Sequence, residues 1–392
     1  MKIFHITETL TPIGGVETYL IDLLPLLEER GHKNVVVYRK QTPRTPSINT
    51  LSTYHVPFTN YPENERAKIK GIIQTEKPSI IYLHTVSDPR VIELANSLAP
   101  TIGYIHIFYP VCPGLAKLHR IGDQICTRPF GLGCVPMIYL RRCASARHPR
   151  SVYRIMQSTR RYLDAYRALP CIIVASKYMK ALMIQNGVDE KRVQILPYFV
   201  PIPDDSDIMF PDPGNKNVLF AGRLDYEKGS PFLLRAFKMM PDTYNMIIAG
   251  DGSLKQKYVQ LVRDHGISER VQFTGWLSDG ELQTAYQNCR VAVMPTIMPE
   301  PFGKVGVEAM ANVRPVVAFD VGGISDWLKH DCNGFLVPPR DVGQLAIRIR
   351  QLVDDIELTM KFGRNGRNFA KQHYSAEVHL ENLLDIFEST IG

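Results

Sequence analysis

Short apolar runs alternate with helical patterns along the whole of this 392-residue chain. Such alternation is typical of βαβ units, in which parallel strands share one sheet and helices cover its two faces. A first series predicts strands at 2–6, 34–38, 79–83, 101–106 and 171–174. A second series predicts strands at 217–220, 244–249, 270–273, 290–294, 315–319 and 335–337. The chain is therefore expected to form two doubly wound parallel sheets.

A proline-rich stretch separates the two series. It runs from Pro197 to Gly214 and contains five prolines and four aspartates. Proline fixes its own φ and lacks an N–H group, so the stretch can continue neither a helix nor a central strand. We predict one domain at 1–200, a second at 201–372, and a hinge at 197–213.

The two halves carry opposite net charges. Residues 1–200 hold 26 Lys and Arg against 14 Asp and Glu, a net charge of +12, whereas residues 201–392 hold 20 against 25, a net charge of −5. Because summed charge governs encounter and non-specific binding, the first half is expected to meet an anionic substrate or a membrane surface.

The chain is expected to be cytoplasmic. No apolar run approaches the ~18 to 20 residues needed to span a bilayer, and the first residues resemble a strand rather than a signal peptide. Seven cysteines, an odd number, favour reduced thiols over a disulfide framework. Peripheral attachment to the inner face of a membrane is the alternative that the basic half suggests.

The turn after the first strand of the second series has the composition of a phosphate site. Gly222 permits backbone access, Arg223 supplies a bidentate guanidinium, and Lys228 adds a point charge. The alternative is a solvated loop with two ordinary surface cations. Gly250 follows the next strand and predicts a second tight turn at the same sheet edge.

Two carboxylates, Glu300 and Glu308, bracket a Pro-Phe-Gly loop and the start of a helix. Free backbone N–H groups and the positive end of the helix dipole favour a bound anion there. The spacing places the carboxylates on different faces, which indicates two separate roles. The alternatives are a loop carboxylate at Glu300 and a charge favourably placed near a helix N-terminus at Glu308.

Residues 218–339 resemble family-4 retaining glycosyltransferases of the GT-B fold, the group 1 glycosyltransferases. The resemblance rests on the motifs above together with Gly229, the strand at 315–318, Gly322-Gly323 and the segment 333–339. The resemblance implies two Rossmann-like domains facing across a cleft, with a final helix at 373–392 that crosses back to the first domain. It implies sugar transfer from a UDP- or GDP-sugar with retention at the anomeric carbon. The implied reaction needs neither a cofactor nor a metal.

The resemblance also implies roles for individual residues. Arg223 and Lys228 would hold the donor diphosphate, Glu300 the sugar hydroxyls and Glu308 the ribose. His106 would lie beside the transferred sugar, so the catalytic set is His106, Arg223, Lys228 and Glu300. The remaining donor-binding residues are Gly15, Gly222, Gly250, Trp276, Leu277, Phe302, Gly303, Lys304, Val305 and Glu308. Lys304 stands where the family commonly has an aliphatic residue, which leaves the donor sugar open.

A cysteine-containing and arginine-rich stretch follows His106. Four thiols, Cys112, Cys126, Cys134 and Cys143, could bind zinc, but they contain no Cys-x2-Cys pair. Free thiols are therefore the prediction, and zinc binding is the alternative. Arginines with a single acid between 141 and 167 suggest an anionic acceptor, lipid-linked or otherwise, or a phospholipid surface. The residues assigned to this role are Arg141, Arg142, Arg147, Arg150 and Arg154.

Other functions remain open. The glycine turns do not form a Gly-x-Gly-x-x-Gly dinucleotide motif, which disfavours a nicotinamide enzyme. A sugar-nucleotide epimerase or a phosphorylase would share the GT-B architecture. A non-catalytic protein that binds only a nucleotide sugar, a membrane or, less in keeping with the sequence, a nucleic acid is the alternative of a different class.

Overall fold

The computed structural model describes residues 1–11, 15–40, 52–57, 63–86 and 88–392. These residues form two compact units. Unit 1 comprises Met1–Tyr198 and Ala376–Gly392, and unit 2 comprises Phe199–Ser375. Within the described ranges, no helix combines the length and the apolar character that crossing a bilayer would need.

Unit 1 contains a seven-stranded parallel sheet and a separate two-stranded antiparallel hairpin. Its strands are β1 (Lys2–Thr9), β2 (Lys33–Lys40), β3 (Ser52–His55), β4 (Ile80–Leu83), β5 (Thr101–Ile105), β6 (Leu118–His119), β7 (Gln124–Ile125), β8 (Cys171–Val174) and β9 (Val193–Ile195). The strand order in the sheet is β3-β2-β1-β4-β5-β8-β9, and β6 pairs with β7 in the hairpin. Its helices are α1 (Gly15–Glu29), α2 (Glu63–Glu76), α3 (Pro89–Leu98), α4 (Cys134–Leu140), α5 (Pro149–Arg167), α6 (Lys177–Gln185) and, from the end of the chain, α14 (Ala376–Ile391).

Helix α14 packs against the sheet and against α1 within unit 1. Phe387 is fully buried and meets the Tyr82 ring edge to face at 5.2 Å between centroids. His379 donates from Nδ1 to the Pro197 carbonyl at 2.8 Å, and its Nε2 accepts from the Tyr19 hydroxyl at 2.9 Å. Apolar burial and two hydrogen bonds thus attach the end of the chain to the N-terminal sheet.

Unit 2 contains a six-stranded parallel sheet in the order β12-β11-β10-β13-β14-β15. Its strands are β10 (Asn217–Ala221), β11 (Asn245–Ala249), β12 (Val271–Gly275), β13 (Val291–Met294), β14 (Val316–Phe319) and β15 (Gly334–Val337). Its helices are α7 (Ser230–Lys238), α8 (Lys255–Asp264), α9 (Asp279–Gln287), α10 (Lys304–Ala311), α11 (Ile324–Trp327), α12 (Val342–Asp354) and α13 (Ile356–Tyr374).

The predicted fold class is confirmed: both units are doubly wound α/β sheets. Central strands such as β4, β8, β13 and β14 are buried at every residue, as expected for parallel sheets covered by helices on both faces. The sequence pattern missed β3 and β9. Both are the edge strands of the unit 1 sheet, and their short, partly polar segments show no buried run because an edge strand is only half covered.

Three arginines attach the first segment of unit 2, which follows Phe199, to the rest of the unit. Arg367 donates to the Pro203 carbonyl and to the Asp205 carboxylate, both at 2.6 Å. Arg290 donates to the carbonyls of Asp212 and Pro213 at 2.7 and 2.8 Å. Arg314 donates to the carbonyl of residue 209 at 2.8 Å. Backbone groups that no sheet or helix satisfies thus find donors in buried guanidinium groups.

The strand order of unit 2 indicates where a ligand site is expected. All six strands are parallel, but the direction in which successive strands are added to the sheet reverses. After β10, strands β11 and β12 are added on one side and β13 on the other, so β10 and β13 are adjacent although β11 and β12 intervene in sequence. In doubly wound sheets, ligands bind outside the carboxyl ends of the strands at this switch point. In unit 2 those ends lead into the loops at 222–229 and 295–303.

Candidate active site

Two glycine turns lie side by side at the carboxyl edge of the unit 2 sheet. Gly222 follows β10 and Gly250 follows β11, each with a positive φ, 151° and 144°. A Cβ on Gly250 would stand 1.9 Å from the Gly222 carbonyl oxygen, so only glycine permits this approach. The structure therefore brings together two of the residues predicted to bind the donor.

Lys228 and Glu300 form an ion pair beside these turns. Lys228 ends a short 3-10 turn after β10, and its Nζ lies 2.5 Å from Glu300 Oε1 in the loop after β13. The side chains of Glu300 and Lys228 are 7% and 25% exposed. The Glu300 carbonyl accepts the Gly323 amide at 2.7 Å, which fixes the backbone beneath the carboxylate. Two predicted site residues thus meet at the switch point.

Arg223 lies on the same loop but faces solvent. Its guanidinium is 61% exposed and pairs with the Asp225 carboxylate at 3.1 Å. Exposed ion pairs of this kind are worth about 0 to 1 kcal/mol. A doubly charged phosphate group could therefore replace Asp225 at little cost.

Glu308 lies on α10 and has two partners. It accepts the Tyr286 hydroxyl at 3.1 Å, and Lys304 Nζ lies 3.6 Å away, one helical turn earlier. Burial, with a further contribution from the Glu308 charge, raises the pKa of Tyr286 well above its ordinary value. The phenol therefore stays protonated and donates. Sequence reasoning missed Tyr286, because its contact depends on how α9 packs beside α10 and no local pattern encodes that.

The loop before α10 presents its backbone rather than side chains. Gly303, at φ 93°, is the N-cap of α10 and offers no side chain to the first amides of the helix. The first N–H groups of a helix have no intrahelical partner, and the helix dipole adds positive potential there. Trp327 supports the loop from beneath by donating its indole N–H to the Phe302 carbonyl at 2.7 Å. Trp327 was not predicted from the sequence.

Trp276 lies at the end of β12, next to the glycine turns. The Gly250 amide donates to the Gly275 carbonyl at 2.7 Å, which joins the two strand ends. The indole of Trp276 follows directly and is 54% exposed, whereas Leu277 is half-buried. A large exposed aromatic surface at the carboxyl edge of a sheet suits stacking on a planar ring.

In unit 1, His106 directly follows β5 and is buried. Its Nδ1 lies 2.6 Å from the Tyr198 hydroxyl, and its Nε2 has no hydrogen-bond partner among the described residues. Burial lowers the pKa of His106 to about 3, so the ring is neutral near pH 7. His84 stacks on it, with ring centroids 5.7 Å apart. The other residue predicted here, Gly15, begins α1; residues 12–14 of its turn lie outside the described residues.

The predicted arginine surface is exposed in unit 1. Arg141, Arg142, Arg147, Arg150 and Arg154 all have high solvent exposure. Arg147 donates to the carbonyl of Ala146 at 2.8 Å and also to that of Ala144. Across the described ranges no carboxylate pairs with the other four arginines.

Two family models match the chain. Residues 13–202 match the model described as Glycosyltransferase Family 4. Residues 203–369 match the model described as Glycosyl transferases group 1. The two matches adjoin and together extend over most of the chain.

Relatives and solved structures agree with these matches. An uncharacterized glycosyltransferase of Methanocaldococcus jannaschii is 24% identical over 99% of this chain and 98% of its own. The poly(ribitol-phosphate) alpha-N-acetylglucosaminyltransferase of Staphylococcus aureus is 33% identical, over 36% of this chain and 28% of its own.

Among solved structures, Anabaena HepE in complex with UDP and glucose superimposes with a TM-score of 0.72 at 21% identity, covering 99% of this chain and all of its own. Staphylococcus aureus TarM, in complex with fondaparinux, alpha-GlcNAc-glycerol and UDP, gives 0.74 at 15% identity, covering 98% of this chain and 99% of its own. At these identities the likeness establishes the fold. With the two family models it shows that the chain belongs to the family-4, group 1 glycosyltransferases of the GT-B fold.

Proposed function

We propose that the protein is a retaining glycosyltransferase that moves a hexosyl group from a nucleoside diphosphate sugar to an anionic acceptor. The observation that carries this proposal is the Lys228 and Glu300 ion pair at the switch point of unit 2, beside the uncapped start of α10. One loop region thereby offers a cation and amide donors for phosphates and a carboxylate for sugar hydroxyls.

The donor phosphates would take over Lys228. Charge-assisted hydrogen bonds from its ammonium and from the exposed Arg223 guanidinium would offset the diphosphate, together with the amides of Lys304 and Val305. Glu300 would then be released to accept hydrogen bonds from the sugar. The two residues neutralise each other without donor and separate into complementary roles with it.

Glu308 would hold the ribose diol while Tyr286 keeps its carboxylate in position. Trp276 and Leu277 would lie against the base. The HepE and TarM structures are complexes with UDP, which supports a uridine nucleotide as the first candidate.

In the proposed transfer, the bond between the anomeric carbon and the diphosphate oxygen breaks, and an acceptor oxygen bonds to that carbon on the same face. The acceptor proton passes to the departing phosphate oxygen. The protein contributes positioning and stabilisation of the charge on the leaving group, from Arg223, Lys228 and the helix start. The neutral His106 would serve as a hydrogen-bonding group rather than as a cation.

The acceptor is assigned to unit 1 because of its charge. Arg141, Arg142, Arg150 and Arg154 lack carboxylate partners among the described residues, and the exposed apolar side chains Leu132, Leu140 and Tyr153 lie in the same part of the chain. A phosphorylated or lipid-linked acceptor would satisfy both features. The name of the Staphylococcus aureus relative includes poly(ribitol-phosphate), an anionic polymer, which is in keeping with this assignment.

The test is a titration of UDP, GDP, ADP and their common sugar conjugates into the full chain, followed by an assay of nucleotide release with candidate acceptors. We expect selective binding of one nucleoside diphosphate and acceptor-dependent release. Binding with no release under any acceptor would support a non-catalytic nucleotide-sugar protein, and absence of binding would overturn the proposal.

A further inference from the structure

The segment between β5 and α5, residues 106–148, is ordered but has little regular structure. It contains only the two-residue strands β6 and β7 and the short helix α4. Leu115, Lys117, Asp123 and Arg142 have left-handed backbones, with φ of 64°, 49°, 50° and 50°. They are four of the eight such non-glycine residues in the described ranges. Each costs about 1 kcal/mol or more, so the segment needs a strong local constraint.

All four cysteines of the segment line one cavity. Cys112, Cys126, Cys134 and Cys143 surround a volume of about 20 Å³. That is roughly the room of one water-sized sphere. The fold thus gathers four thiols that the sequence spaces without any close pair.

A buried cation lies at the same cavity. Lys117 is only 2% exposed, and its Nζ donates to the Arg128 carbonyl at 2.5 Å. No carboxylate pairs with Lys117 in the part of the chain that the structure describes. A buried ammonium is costly unless an anion compensates it. The anions that the cavity can supply are thiolates.

Backbone amides also point at the sulfur of Cys112. The N–H groups of Gly114 and Lys117 both hydrogen-bond to it. Such donors favour a charged sulfur, although burial, the larger effect, raises the pKa of Cys112. The four thiols around one small cavity and the buried cation beside it are therefore what favour one thiolate-bound positive ion.

We propose that Cys112, Cys126, Cys134 and Cys143 bind one thiophilic divalent ion of the zinc class, which holds segment 106–148 in its fold. Four thiolates form the closed tetrahedral set of structural zinc. Binding would release four protons to solvent and leave a net charge of −2, which Lys117 and Arg128 offset. No electron is exchanged. This site is separate from the proposed donor site and does not depend on the proposed function.

The thiols must turn to reach one ion. As placed, no three His, Cys, Asp or Glu side chains in the described ranges form a metal-binding group. A cysteine side chain reorients through the single torsion between Cα and Cβ. Coordination therefore needs a change of cysteine rotamers within the existing cavity. The competing outcome for clustered thiols is disulfide formation, which the experiment distinguishes.

The experiment measures metal in the full chain, produced with zinc and purified with a phosphine reductant and without chelator. We expect about one zinc ion per chain by inductively coupled plasma mass spectrometry. Replacing zinc with Co²⁺ should give an intense thiolate-to-cobalt charge-transfer absorption. Wild-type chain with no bound zinc would overturn the proposal, and so would a disulfide among the four cysteines on non-reducing peptide mapping of a second preparation purified without reductant.

Variants locate the site. Cys126→Ser and Cys143→Ser should lose most of the zinc and the cobalt absorption, whereas Cys171→Ser and Cys332→Ser should keep both. Circular dichroism and the thermal unfolding midpoint serve as the folding control for all four variants. Equal zinc content in all four variants would contradict the assignment even if the wild-type chain binds metal. None of these measurements requires transfer activity.

Discussion

Lys228 Nζ lies 2.5 Å from Glu300 Oε1, although 72 positions separate the two residues in the chain. The contact exists because β10 and β13 are neighbours in the sheet, so the loops at their carboxyl ends meet. Each residue stands in for the ligand that the other is proposed to bind: the ammonium for a sugar hydroxyl donor, the carboxylate for a phosphate. The pair therefore predicts different losses when either partner is changed.

Glu300→Gln should reduce transfer by about 100-fold or more while leaving UDP affinity unchanged or slightly higher. The amide loses the charge that binds sugar hydroxyls, and Lys228 is released from its partner. Nucleotide release and calorimetry measure the two effects separately. Glu357→Gln, an exposed carboxylate on α13, is the control. Turnover at the wild-type rate would refute the role of Glu300.

Lys228→Ala should weaken UDP binding by about 10- to 100-fold, because a charge-assisted hydrogen bond contributes about 1.5 to 3 kcal/mol. It should also lower the stability of unit 2, since the Glu300 carboxylate loses its partner. Adding Glu300→Gln to this variant should restore stability but not affinity. Lys216→Ala, at the opposite end of β10, should affect neither UDP binding nor turnover. Unchanged affinity in Lys228→Ala would contradict the proposed phosphate contact.

Trp327→Phe should weaken donor binding a few-fold, because the Phe302 carbonyl loses its buried donor. The chain has two tryptophans, so this variant leaves Trp276 as the single indole. Its fluorescence should then change on UDP titration. In the reciprocal variant Trp276→Phe, the buried Trp327 should respond far less. An unresponsive Trp276 would place the base elsewhere.

Unit 1 should lose stability as pH falls below about 6.5. Burial lowers the pKa of His5 to about 4, that of His106 to about 3 and that of His379 to about 4. A lowered folded-state pKa means that the unfolded chain binds more protons between these values and pH 6.5. Stability is thus complete above the unfolded pKa and declines on acidification, by about 1.4 kcal/mol per pH unit for each histidine.

Hydrogen exchange of the β1, β4 and β5 amides at pH 7.5 and 5.0, corrected for intrinsic exchange rates, measures this loss. His106→Gln should flatten the acid dependence, since it removes one of the titrating groups. Equal protection at both pH values would show that the histidines ionise without cost to the fold.

Arg150→Glu with Arg154→Glu should reduce binding to vesicles that contain anionic phospholipid, or use of an anionic acceptor, and should reduce its salt sensitivity. Donor affinity should not change. Lys257→Glu with Arg263→Glu on α8 makes the same change in net charge and should have no such effect. If both pairs behave alike, net charge rather than this surface governs binding.

The sequence predicted what depends on local pattern. Central strands such as β8 and β14 are continuous apolar runs, and Glu300 and Lys228 stand in recognisable loop motifs. It could not show that these two side chains pair, because that contact depends on which strands become neighbours. The sequence did not predict the edge strands β3 and β9, because a strand that is covered on one side only has no continuous apolar run.

The sequence also did not predict the residues that hold the site and its loops in place. Tyr286, Trp327 and Arg314 act through contacts to residues far away in sequence, and none of them lies in a distinctive local motif. The four cysteines show the same limit. Their spacing, without a close pair, left zinc binding as an alternative to free thiols, and only the fold around Lys117 brings them to one cavity.

The most direct test of the account is hydrogen exchange of the full chain with and without UDP, GDP, ADP and their sugar conjugates. We predict that one nucleoside diphosphate slows exchange at residues 222–229 and 300–308, where Lys228 and Glu300 lie. Slowed exchange confined to unit 1, or no change with any nucleotide, would contradict a donor site at the switch point of unit 2.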